Sequence, residues 1–87
     1  MAYLTRDDIE RRNAMGQRKS FAPYLRVSNE TMFGTNGLRF EHLEDCERYL
    51  NHKKNTWFLV EDTLPCVTDD EPNYFYQDDV LVEITNS

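Results

Sequence analysis

Not one lysine or arginine follows Lys54. Residues 55–87 hold eight acids and no base, while residues 1–54 hold all ten Lys and Arg against the other eight acids, so the net charge of -6 divides into +2 and -8. An acidic third of this kind repels nucleic acid and is expected to attract a basic protein surface. Long apolar runs are also missing. None approaches the roughly 20 residues needed to cross a bilayer, so no membrane association is expected. The stretch MAYLTRDDIERRN lacks the basic-then-apolar order of a secretory signal. The only cysteines, Cys46 and Cys66, are too few for a disulfide scaffold and have no CxxC spacing. Together these absences suggest a reduced, intracellular protein. No Ser-His-Asp order, phosphate loop or zinc spacing occurs, so neither catalysis nor a cofactor is expected. His42 and Cys46 do share a helix face. A reactive thiolate needs an electropositive, accessible setting, whereas Cys46 falls on an apolar stripe and reads as a small buried hydrophobe.

Eighty-seven residues make one small domain with a thin core. Thr5 can cap a helix at about 6–15, with Asp7 and Asp8 at its positive end and Gly16 suited to a left-handed terminal residue. Its apolar stripe is narrow, Ile9 and Met15 with Leu4 outside, so this helix should attach loosely. Gln17 to Ser20 reads as a linker. Tyr24 to Ser28 alternates as a strand does. The Asn36-Gly37 pair favours a tight hairpin turn leading into a short strand, Leu38 to Phe40. EHLEDCERYLNHKK is the clearest helix, with Leu43, Cys46, Tyr49 and Leu50 on one face. Trp57 to about Val67 is extended in character, with Pro65 marking an edge or bulge. Tyr74–Tyr76 and Val80–Ile84 read as strands joined at Gln77-Asp78-Asp79. The expected fold is α+β: a small antiparallel sheet of about 4–5 strands with the second helix packed on one face, plus a loosely attached N-terminal helix. Residues 1–20 form that helix and linker, and residues 21–87 the α+β domain.

The stretch DDEPNYFYQDD concentrates the unusual chemistry. Asp69, Asp70 and Glu71 precede Pro72, and Asp78 and Asp79 lie on the next turn. Calcium loops alternate acids around a bend glycine. Here the acids are adjacent and no glycine is present, so solvated turns that discourage strand aggregation are the plainer reading, and no metal is expected. With Glu61, Asp62 and Glu83 these acids total eight without a local base, and such a row can imitate the charge spacing of DNA. A DNA-mimic decoy is therefore the alternative to a protein-binding module. The rings favour the module. Alternation sends Phe75 one way and Tyr74 with Tyr76 the other, and one helix covers only one sheet face. Rings rimmed by charge are a common interface composition, which makes Trp57, Glu61, Asp69, Asp70, Glu71, Tyr74, Tyr76, Asp78 and Asp79 the candidate partner-binding residues. Arg6, Arg11, Arg12, Arg18 and Lys19 form a candidate basic docking surface. It could hold single-stranded nucleic acid, although a pI near 4.7 argues against that. It could equally dock on another copy's acidic third, giving a homodimer.

GTNGLRFEHLEDCERYL followed by NTWFLVEDTLPCVTDDEPNYFY resembles a widespread set of small proteins encoded mainly by tailed phages. Their pattern runs G-N-x-L-R-F, a helix ending near Tyr, a Trp strand entry, V-x-D, and D-D/E-P-x-x-Y. The matching positions here are Leu38, Arg39, Phe40, Tyr49, Trp57, Val60, Asp62, Glu71, Pro72, Asn73 and Tyr74, within residues 34–76. This chain departs from the pattern in having His42 at the helix cap and Thr56 before the tryptophan. The resemblance implies a compact α+β unit of phage origin, working in the cytoplasm of an infected host cell. It implies no reaction. The expected role is to bind and modulate, most simply to inhibit, a host or phage protein that presents a basic surface.

Overall fold

The computed structural model describes residues 3–16 and 18–84, so Gln17 of the expected linker lies outside the described residues. Its elements run β1 (Tyr3–Leu4), α1 (Arg6–Met15), β2 (Ser20–Val27), β3 (Phe33–Thr35), α2 (Leu43–Thr56), β4 (Val60–Thr68), β5 (Tyr74–Gln77) and β6 (Val80–Glu83). The class is α+β, as expected. The strands form a four-stranded antiparallel sheet ordered β1-β3-β2-β4 and a separate two-stranded ribbon, β5-β6.

Local chemistry explains α1. The Thr5 hydroxyl accepts from the Asp8 amide at 3.2 Å, and the Thr5 amide donates to the Asp8 carboxylate at 3.3 Å, which completes a capping box. Hydrogen bonding to Thr5, through its side chain first and its amide second, holds the Asp8 carboxyl below its usual pKa. That contribution is whole at neutral pH and fades as acid brings the pH through the lowered value. The helix end differs from expectation. Gly16 has φ -77 and ψ 146, extended rather than left-handed. Glycine is needed there for space: an added Cβ would lie 2.6 Å from the Arg12 carbonyl oxygen and 2.9 Å from Val67 Cγ2.

The two helices cover opposite faces of the main sheet, so both faces are partly covered rather than one. On the α1 face Ile9 joins Ala22, Tyr24, Phe33 and Cys66. On the α2 face Cys46, Tyr49 and Leu50 join Phe21 and Phe40. Ile9 is the only buried residue of α1. Two further ties hold this segment. β1 pairs with β3, and Asn13 reaches the outer edge of β4, donating to the Pro65 carbonyl at 3.0 Å and accepting from the Val67 amide at 2.9 Å. Farther along β4 the Asp62 carboxylate accepts from the Thr63 amide. Side chains thus satisfy edge groups that would otherwise invite another strand.

Proline in the central strand β2 is tolerated because the ladder has a gap beside it. Thr35 Oγ1 donates to the Pro23 carbonyl at 2.7 Å in place of a backbone partner. Beyond the gap Phe40 takes the place beside β2, exchanging backbone hydrogen bonds with Phe21 at 2.7 and 2.9 Å. On its other side Phe40 bridges to Tyr74, which joins the β5-β6 ribbon to the sheet. Leu38 to Phe40 is therefore a single bridge residue with its approach, not a strand. The Asn36-Gly37 turn is not a hairpin either. Asn36 Oδ1 accepts from the Leu38 amide in an Asx turn, and Gly37 keeps a negative φ. The hairpin from β2 turns earlier, at Ser28–Asn29, where Asn29 has φ 70.

The β5-β6 turn holds two acids in an unfavourable conformation. Asp78 and Asp79 have φ 51 and 67 between the paired Gln77 and Val80, the pattern that suits Asn-Gly best. A left-handed residue bearing a Cβ costs roughly 1–2 kcal/mol, while the exposed Arg48–Asp79 pair contributes less than about 1 kcal/mol. Changing Asp78→Asn together with Asp79→Gly should raise the urea midpoint at unchanged slope, a gain of about 0.5–1 kcal/mol. A lowered midpoint would contradict the strain.

Candidate interaction surface

The charge division seen in the sequence largely cancels in space. Five of the eight C-terminal acids are bridged by bases from the first 54 residues. Arg6 pairs with Asp62, Lys19 with Glu71 at 3.3 Å, Arg26 with Glu61 at 3.1 Å, Arg39 with Asp70 at 2.9 Å, and Arg48 with Asp79 at 2.9 Å. Most of these pairs are exposed and add little stability, but they remove the row of uncompensated carboxylates expected on the strands. Asp69 and Asp78 are exposed and, among the described residues, make no ion pair. The candidate basic surface is dispersed in the same way. Arg6 also stacks 5.3 Å from the Phe33 ring, Arg11 pairs with Asp8 within α1, and Arg18 lies over Phe21 at 5.3 Å. Arg12 faces a separate niche of about 520 Å³ shared with Tyr24, Arg39 and Asp70.

Two of the expected aromatic anchors point inward. Tyr74 and Tyr76 pack against the α2-side core with Leu81. Tyr76 stacks on Phe40 at 6.1 Å with planes 8° apart, lies 5.1 Å beneath Arg48, and has its phenol pKa raised by burial. Alternation correctly separates these rings from Phe75, yet period two does not say which set faces the core. Asn73 secures the same region, accepting from the Arg39 amide at 2.7 Å and donating to the Gly37 carbonyl at 2.8 Å. Leu38, Phe40, Tyr49 and Tyr74 thus meet as structural partners in one core cluster, with Arg39 and Asn73 tying its backbone, whereas Asp62 and Glu71 are drawn off to Arg6 and Lys19.

Trp57 is differently placed. It follows α2, is 43% exposed, and stands on the wall of an open groove of about 460 Å³. The groove exists because α2 packs over β2 and β4 and leaves the β1-β3 side of that face uncovered. Its floor is the row Leu25, Gly34 and Tyr3, aligned across β2, β3 and β1, with Pro23 and Val27 beside it. Gly34 lets the Tyr3 ring lie close over the strand, since an added Cβ would meet that ring at 3.1 Å and push it outward by a few tenths of an ångström. Tyr49 and Lys53 of α2 complete the wall with Trp57, and Glu30 and Met32 of the neighbouring turn also line the groove. Phe58 protrudes next to Trp57 and is 90% exposed. The Ser28 amide donates to the Leu59 carbonyl at 2.9 Å, which sets the 57–59 turn beside the 28–32 turn. Trp57, Phe58, Leu59, Met32 and Tyr3 therefore gather exposed apolar surface around one end of the sheet. Of these, the sequence pointed to Trp57 alone as an anchor. A usable signal was present: Trp57-Phe58-Leu59-Val60 would put apolar side chains on both faces of a strand, so the run demands cover on both sides or leaves rings exposed.

The reactive-looking groups are muted. Both cysteines are buried and free, Cys66 in the α1-side core and Cys46 in the α2-side core. Burial is the chief cause that pushes the Cys46 thiol up to about 12. Iodoacetamide at pH 8 should leave Cys46 unmodified in the native protein and label it in urea, with mass spectrometry as the readout. Rapid native labelling would contradict the packing. Among the described residues no three His, Cys, Asp or Glu side chains are arranged to hold a metal ion, and no helix is long and apolar enough to cross a membrane. Compared with known proteins, the chain matches no family model, no curated protein and no solved structure.

Proposed function

We propose that this chain is a non-catalytic protein-binding module, a small phage accessory protein that modulates a host or phage partner in the infected cell, and that contact is made through the apolar end of the sheet. The phage source rests on the resemblance of residues 34–76. The observation that carries the binding reading is Phe58, 90% exposed next to Trp57, which lines a preformed groove. Burying a large apolar side chain fully is worth about 1.5–3 kcal/mol, and tryptophan at such a position is a frequent anchor of binding energy. Net charge of -6 adds long-range attraction to a basic partner rather than the contact itself. The acidic strands, read from sequence as the contact surface, then act as flanks. Affinity capture from host lysate tests this. Phe58→Asp or Trp57→Ala should abolish capture of the partner, and Asp69→Asn with Asp78→Asn should leave it within a few-fold. The opposite ranking would favour the DNA-mimic reading and remove this one.

A further inference from the structure

We infer that the free chain pairs with a second copy of itself through this same end of the sheet, with each Phe58 seated in the other copy's groove. The inference rests on the binding reading and names the occupant that the surface meets when no other partner is present. Three observations converge on a second copy. First, knob and groove adjoin on one molecule. Phe58 protrudes next to Trp57, and Trp57 forms part of the groove wall. A protrusion beside its own receptor site is the arrangement a twofold contact uses, because residue i meets j while j meets i and the assembly closes at two copies. Second, the groove is lined by one acid and one base, Glu30 and Lys53, beside its apolar floor. Among the described residues neither is ion-paired, and Lys53 rests only over the Tyr49 ring at 5.6 Å. A twofold axis through the groove sets each Lys53 against the second copy's Glu30, so the rim is self-complementary. Third, a standard interface takes about 800 Å² per partner, roughly one-eighth of this chain's 5983 Å² of accessible surface, and Trp57, Phe58, Leu59, Met32 and Tyr3 supply exposed apolar side chains for its centre.

This contact replaces the homodimer route read from the sequence, in which basic helix meets acidic third. Those charges are largely engaged within one molecule. Self-pairing also makes partner binding a competition, since the groove is shared. The mass of the protein then depends on concentration, and the true partner dissociates the dimer as it binds.

Sedimentation velocity of the full chain over two decades of micromolar concentration tests the inference. The expected result is a monomer–dimer shift, weakened about tenfold or more by Phe58→Asp and by Lys53→Glu, and restored when Lys53→Glu is combined with Glu30→Lys. All these side chains lie at or near the surface, and circular dichroism confirms that each variant is folded. A monomer at every concentration overturns the inference, as does a dimer that Phe58→Asp leaves intact or a charge swap that fails to restore pairing. A monomeric protein whose partner capture still depends on Phe58 overturns the dimer and leaves the binding reading in place.

Discussion

Phe40→Ala is expected to cost about 3–5 kcal/mol, a large share of the stability available to a domain of this size. Phe40 is fully buried. Its backbone pairs with Phe21 on one side and Tyr74 on the other, and its ring contacts Tyr49 and Tyr76. Truncation leaves a cavity where the β5-β6 ribbon meets the main sheet. Thermal unfolding followed by circular dichroism should show the midpoint fall by more than about 10 °C. Phe75→Ala, removing a ring of the same ribbon that lies outside this core cluster, should cost distinctly less. Equal losses at the two positions would show that Phe40 has no special linking role.

Ile9→Ala is expected to cost about 2–4 kcal/mol, out of proportion to a helix that exposes eight of its ten residues. Ile9 is the side chain through which α1 enters the core. Without it α1 is held mainly by Asn13 at the β4 edge and by the short β1-β3 pairing. Loss of α1 would also free the Pro65 carbonyl and Val67 amide, so the variant should aggregate on heating where the parent refolds. Hydrogen exchange at the Val67 amide gives the specific readout: protection should fall in Ile9→Ala and also in Asn13→Ala, which leaves the core intact. Unchanged protection in both would show that α1 does not guard this edge.

Local signals were legible in the sequence. Thr5 and Asp8 fix the start of α1 because capping is decided by neighbours three residues apart. Cys46, Tyr49 and Leu50 declare the buried face of α2 by spacing alone. What depends on distant chain was not legible. The ion pairs Arg6–Asp62 and Lys19–Glu71 join opposite ends of the sequence, so a composition split of +2 and -8 suggested an acidic surface that folding largely neutralises. Asn36-Gly37 carries a hairpin signature, but Phe40 is drawn to Phe21 and Tyr74, and tertiary packing overrides the turn preference. Phe33 has only Met32 beside it among polar and small residues, so no periodicity marked β3. The groove was hidden for the same reason: it is assembled from β1, β2, β3 and α2, and its floor exists only once Tyr3, Gly34 and Leu25 are brought into register.

The chain has a single tryptophan, and it stands on the surface assigned to partner binding. Emission from Trp57, with acrylamide as quencher, is therefore the most direct test of where contact occurs. The free monomer should be readily quenched. On saturation with the captured partner, the emission should shift to shorter wavelength and quenching should fall several-fold. A partner that binds to saturation while Trp57 keeps the same emission and the same exposure to acrylamide would contradict the assignment.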